Sequence, residues 1–286
     1  MRIIQIQGLI FSLIAIVTGI ASWITGPVDS TTTLIILAGL IFFLGVPHGA
    51  LDPVFAQKIL HVDNWKSWFK FIVAYLVLMV GVVGIWWKFP LFFISIFLIL
   101  SILHFSRDLN FATAKVIRIL YGGSMIVLPA LLHFNEMKQL FSLLLNDNIA
   151  LEIINFLHII AWPWLLAIII SIFYESVKNL SVSIEILALT LLTIFAQPLI
   201  GFTVYFCAMH SVRHILRTQA YASIRFNRLV LISLAPMMGV SLLLVLGWFY
   251  LPDVPDYQRI IQFVFVTLAA LTIPHMLLID RAKYLY

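Results

Sequence analysis

The chain has 286 residues, of which 63% are hydrophobic and only 10% charged, with a formal net charge of +5. Soluble domains are about 45–50% apolar and about 25% charged. A core of this length cannot hide so much apolar surface, so the solvent must be lipid and a soluble globular fold is excluded. The basic residues are scattered through short loops, as expected for a membrane protein, and give no sign of a nucleic-acid partner. Cys207 is the one cysteine; it reads as a small packing residue and leaves no disulfide framework and no CxxC metal site.

A spanning helix needs roughly 20 mostly apolar residues. The first run, MRIIQIQGLIFSLIAIVTGIASWI, meets that length. No small-residue cleavage site follows it, so it is read as a retained helix rather than a signal peptide. In chain order the candidates are Ile3–Ile24, Thr32–Ile59, Trp68–Trp87, Pro90–Arg107, Ala114–His133, Ala150–Tyr174, Val182–Gln197, Leu199–Arg217, Arg228–Tyr250 and Arg259–Ile279. The Val182–Gln197 segment is short enough to be re-entrant. The expectation is an all-α integral membrane protein, residues 1–286 forming a single domain, a polytopic bundle of about ten transmembrane helices (range about 8–10). It is expected in the cell (inner) membrane with both termini cytoplasmic.

Loop charge supports that count. With the N-terminus inside, the inner connections carry Lys58, Lys66, Lys70, Arg107, Lys115, Arg118, Lys178, Arg217, Arg225, Arg228, Arg281 and Lys283. The outer ones carry Asp29, Lys88, Glu136, Lys138, Asp147, Glu152, Asp253, Asp256 and Arg259. Basic residues thus fall on one side, as the positive-inside rule requires.

The same topology gives each histidine a depth. His48, His104, His210, His214 and His275 share one broad layer in the inner half, contributed by four helices. His133 and His158 lie toward the outer side, and His61 lies in an inner loop. In MHSVRH, His210 and His214 are spaced i, i+4 and project from one helix face; two imidazoles so placed can bind one metal ion. The alternative is two unrelated histidines near a helix end, but polar side chains are expensive in a membrane core and tend to be functional there.

GVPHGALDP and LHFSRDL share another pattern, a histidine followed four residues later by an aspartate: His48 with Asp52, and His104 with Asp108. Metal-bound imidazoles usually donate their second N–H to a carboxylate or carbonyl, so Asp52 and Asp108 are candidates to orient ligands. The alternative is that they solvate helix ends. Pro47 removes an amide hydrogen and can bend the second helix. Gly45 and Gly49 permit close approach of a neighbouring helix or a ligand. TIPHML repeats the Pro–His pair at Pro274–His275, making His275 a further candidate. Neutral histidines without thiolates suit iron, copper or zinc. Fe(II) is the natural choice if oxygen must bind. A single HxxxH argues for one ion, because di-iron membrane enzymes carry denser histidine boxes.

GVPHGALD, LHFSRD, MHSVRH and TIPHMLLID, in this order and at these separations, resemble the Brp/Blh family of prokaryotic membrane β-carotene 15,15'-dioxygenases, and the resemblance covers essentially the whole chain. It implies Fe(2+)-dependent cleavage of the central double bond of β-carotene by O2 into two all-trans-retinal, and supply of retinal to a microbial rhodopsin. The family's essential histidines correspond to His48, His104, His210 and His214, expected to be both catalytic and metal-binding. Ser106 stands where many relatives carry glycine. The competing expectations are another membrane metalloenzyme, such as a lipid hydroxylase or desaturase, and a carotenoid carrier or transporter. Transporters usually show repeated halves with interrupted helices at matching positions, and no such repeat is visible in the sequence.

Overall fold

A computed structural model describes residues 2–26, 31–250 and 255–281. Asp29, Asp253 and Lys283 of the charge sorting lie outside the described residues. Every regular element among those residues is helical. In chain order they are α1 (Arg2–Thr25), α2 (Thr31–Leu40), α3 (Asp52–Leu60), α4 (Trp65–Lys88), α5 (Pro90–Phe105), α6 (Lys115–Val127), α7 (Phe134–Ser142), α8 (Asp147–Lys178), α9 (Leu180–Phe195), α10 (Pro198–Val204), α11 (Val212–Ala222), α12 (Phe226–Tyr250) and α13 (Asp256–Ile279). Starts are marked locally. Asn64 caps α4 through the Ser67 amide at 3.0 Å, and Asn146 caps α8 through the Ile149 amide at 2.9 Å. Pro90 and Pro198 open α5 and α10, where a missing N–H costs nothing.

Among the described residues, seven helical stretches are long and apolar enough to cross a membrane. Two shorter apolar helices, α5 and α9, accompany them. A bent pair joins Lys115–Leu131 to α7 at 107°. The apolar run predicts one span from Ala114 to His133 followed by a loop. The backbone instead tightens into a 3-10 turn at Leu128–Leu131, and α7 leaves at a right angle. Large apolar side chains such as Val177, Trp87 and Leu13 point outward. That is the arrangement of a helical membrane protein, whose backbone groups must be satisfied within each segment.

Two of the long stretches are not regular helices throughout. The second passes through a π turn (Ile41–Gly45) and a 3-10 turn (Val46–Leu51), containing Pro47, before α3 resumes at Asp52. The stretch from α10 to α11 contains a π turn at Tyr205–Ser211. Such turns inside α-helices frequently mark functional sites. The two interruptions pack against each other where Gly45 meets the Phe206 ring: a Cβ at Gly45 would lie 2.3 Å from Phe206 Cε1. His48 and His210 sit beside this crossing.

Candidate metal centre

Five histidines converge on the crossing, and all are buried. The His48 ring lies 4.8 Å from that of His210, 5.6 Å from His214, 5.4 Å from His275 and 6.5 Å from His104. His104 and His210 are closer still, with Nε2 atoms 3.0 Å apart. Ligand atoms of His48, His104 and His275 all lie within 4.8 Å of one another. The remaining histidines are elsewhere. His61 ends α3 in a left-handed conformation at φ 52°. His133 faces Glu136 at 2.5 Å and the Ile194 carbonyl at 3.2 Å, and His158 meets the Ala130 carbonyl at 2.7 Å.

Each of three rings has its Nδ1 engaged by an acceptor, which makes Nε2 the nitrogen that carries the lone pair. His48 Nδ1–H donates to the Gly45 carbonyl at 2.6 Å, and Ser211 Oγ lies 3.1 Å from the same nitrogen. His275 Nδ1–H donates to Asp52 at 2.6 Å, and His210 Nδ1–H lies 3.1 Å from both Asp108 oxygens. The two HxxxD pairs therefore cross over: neither aspartate bonds the histidine of its own motif. Each aspartate also accepts from a tyrosine, Tyr75 to Asp52 at 2.8 Å and Tyr205 to Asp108 at 2.6 Å. These Tyr–Asp–His chains fix ring orientation and tautomer. Asp108 lies in the loop after α5. Burial alone would raise its carboxyl pKa, but His210, Tyr205 and Arg213 outweigh that and hold it below the usual value.

The donor set fits a metal ion. His275 Nε2, His214 Nε2 and His104 Nδ1 are buried without a hydrogen-bond partner, and orphaned polar atoms in an apolar interior are costly. Nitrogens bound to one ion at about 2.1 Å and at right angles stand about 3.0 Å apart, the spacing of His104 and His210. Neutral imidazoles are the donors that iron, copper and zinc accept.

A further network, whose partners are far apart in the sequence, supports the site. Buried Arg213 makes paired bonds to Glu185 at 2.6 and 2.9 Å, and donates to Gln7 Oε1 at 2.8 Å and to the Asp108 carbonyl at 2.9 Å. It ties α1, α9 and α11 to the loop that aims Asp108 at His210. The available signal was an Arg inside MHSVRH and a Glu within an apolar run, neither with a partner visible in sequence. Ser106 bonds within its own helix end, to the Leu103 carbonyl at 2.7 Å. The close crossing there depends on Gly122, whose added Cβ would sit 2.4 Å from the Ser106 amide.

Against this cluster lies an apolar cavity of about 120 Å³. Its lining includes His48, His104 and His275, with Ser101 and Thr272 the other polar side chains and no charged one. Gly49 is on the wall, and a Cβ added there meets nothing within 4 Å.

The sequence was compared with known proteins. The model of a family described as Beta-carotene 15,15'-dioxygenase matches residues 39–282. A protein named Beta-carotene 15,15'-dioxygenase, from uncultured marine bacterium 66A03, is 31% identical over 251 residues, covering 84% of this chain and 90% of that protein. No solved structure matches. With the match extending over most of its length and over every histidine of the cluster, the chain belongs to the β-carotene 15,15'-dioxygenase family.

Proposed function

We propose that this protein is an iron-dependent dioxygenase that splits the central 15,15' double bond of β-carotene into two all-trans-retinal. The observation that carries the reading is a buried histidine cluster opening onto a cavity without a charged lining residue. A lipid hydroxylase or desaturase must seat a polar headgroup, whereas β-carotene is pure hydrocarbon and dissolves only in the bilayer. A carrier would gain nothing from buried imidazole nitrogens left without partners.

His48, His104, His210 and His214 would hold the ion, and His275, whose Nε2 has no other partner and whose ligand atom lies within 4.8 Å of those of His48 and His104, would join them. The ferrous ion these residues would hold would supply the activation of O2. One O2 and one C=C bond give two C=O bonds, so no external reductant is consumed. The chain's own contribution is positional. Gly45, Asp52 and Asp108 hold the rings in the tautomers that present Nε2. The apolar wall excludes water and competing proton donors. The double bonds of a long polyene differ little electronically, so selecting one of them is a matter of placing it.

The reading includes ten spans: the seven long stretches, α5, α9 and the Lys115–Leu131 segment. Both termini would face the cytoplasm of the cell inner membrane. Contacts at the histidine end support this. Arg217 donates to the Arg107 carbonyl at 2.7 Å, Arg107 pairs with Asp280, and Lys58 reaches the Tyr221 carbonyl at 3.0 Å, so the basic residues of separate loops share one end. Retinal, itself apolar, would leave through lipid toward a microbial rhodopsin.

The test is metal removal. Chelated protein should neither consume β-carotene nor take up O2, and Fe(II) but not Zn(II) should restore both. Full turnover in metal-free protein would overturn the reading.

A further inference from the structure

The cavity beside the histidines has a direction. Its walls run on α5 from Ile94 to Phe105, on α13 from Phe265 to His275, and along the α10 stretch from Pro198 to Phe206. The first two stretches each place a lining histidine at one end, His104 and His275, and the third leads toward His210 just beyond Phe206, with hydrocarbon at the other end. At about 1.5 Å per residue, Ile94 to His104 and Phe265 to His275 each span about 15 Å. The lining therefore extends about 15 Å along these helices.

Helix α7 crosses its far end. Met137, Leu140, Phe141 and Leu144 all line the cavity; the i, i+3, i+4 spacing of the first three puts them on one face of α7, and Leu144 follows in the turn after it. The segments flanking the helix are pinned from three sides. Gln262 of α13 donates to the Leu143 carbonyl at 2.8 Å, Trp86 of α4 to the Leu144 carbonyl at 3.3 Å, and His133 faces the Ile194 carbonyl of α9 at 3.2 Å. A transverse helix so held is a fixed wall.

We propose that α7 is the end stop of a ruler. One half of a symmetric C40 polyene enters the cavity until its ring meets the Met137–Leu140–Phe141 face, and this sets the central bond beside the histidines. The proposal rests on the carotenoid-cleavage reading above. The lengths agree. Roughly nine bonds separate the central carbon from the ring. An extended chain advances about 1.2 Å per bond, from about 3.6 Å per three-bond residue. Adding the ring gives an arm of about 15 Å. The cavity of about 120 Å³ is smaller than the roughly 300–1,000 Å³ of ligand sites, so wall side chains must shift to seat the ring. Met125 and Met137 are the adaptable ones. The second arm must leave from the histidine end, where Gly49 provides open space.

The experiment changes the stop in both directions. Leu140→Trp shortens the cavity, while Leu140→Ala and Met137→Ala deepen it. Each purified, iron-loaded variant is given β-carotene and O2, with products identified by mass and bound iron measured in parallel. Wild type should release C20 aldehyde alone. The variants should keep wild-type iron, because α7 lies far from the histidines, and should yield unequal C18 and C22 carbonyl products from the neighbouring double bonds. Variants with full iron that release only C20 product, at unchanged KM, would overturn the ruler. Loss of iron from all three variants would also overturn it, since α7 would then be part of the metal centre. Failure of the wild type to cleave at all would instead overturn the reading on which the ruler rests.

Discussion

Asp52 stands one turn after His48, yet its carboxylate lies 2.6 Å from the Nδ1 of His275, 223 positions along the chain. The second aspartate repeats the arrangement by reaching His210 rather than His104. Each HxxxD motif therefore supplies a ligand candidate from one residue and an orienting group for another helix from the next. Asp52→Ala is expected to cost roughly 10–100-fold in metal affinity. Tyr75→Phe removes one of the carboxylate's two partners and should cost about tenfold or less. Competition titration of bound iron measures both. Equal affinity in Asp52→Ala and wild type would show that the contact does not orient a ligand.

The five clustered histidines should behave differently from the rest. His48→Ala, His104→Ala, His210→Ala and His214→Ala should each lose most bound iron while the protein still inserts in the membrane. His275→Ala should do the same, because its Nε2 is aimed into the cluster without another partner. His133→Ala and His158→Ala should retain iron, since those rings bond to α7 and to the Ala130 carbonyl. Full occupancy in the His210→Ala, His214→Ala double variant, or iron loss in His158→Ala, would contradict the assignment.

Glu185→Gln should unfold the protein more easily than any change at the lipid face. It leaves the Arg213 guanidinium buried without its counter-charge, and breaking such a pair typically costs about 3–5 kcal/mol. The check is thermal unfolding in detergent. A midpoint equal to that of wild type would mean that the pair contributes nothing to holding α9 and α11 together.

The two glycines of GVPHG should separate. Gly45→Ala puts a methyl 2.3 Å from the Phe206 ring and should destabilise the fold by about 1–3 kcal/mol, as overpacking does. Gly49→Ala meets open space and should leave stability unchanged. Matched unfolding curves for the pair decide the point, and equal losses at both positions would count against the crossing described here.

Much of the bundle was legible because hydrocarbon length and loop charge are local properties. The runs at Trp65–Lys88 or Phe226–Tyr250 could hardly be anything else. The right-angle turn into α7 was not, because Phe134–Ser142 has the polarity of a loop and its role depends on what lies beneath it. The histidine positions were visible as costly residues in an apolar chain. Their pairing was not: nothing near Asp52 in sequence indicates His275, and Pro47 signals a bend but not the π and 3-10 turns that carry it. Glu185 and Arg213 were hidden for the same reason, since each is an isolated charge until the fold brings them within 2.6 Å.

The most direct test of the central claim is product identity. Purified protein with one bound iron is incubated with β-carotene and O2, and the aldehydes are separated and weighed by mass spectrometry. The account requires retinal as the sole retinoid, formed as two C20 molecules for each β-carotene lost. Longer apocarotenals, or β-carotene left intact by iron-loaded protein, would contradict it.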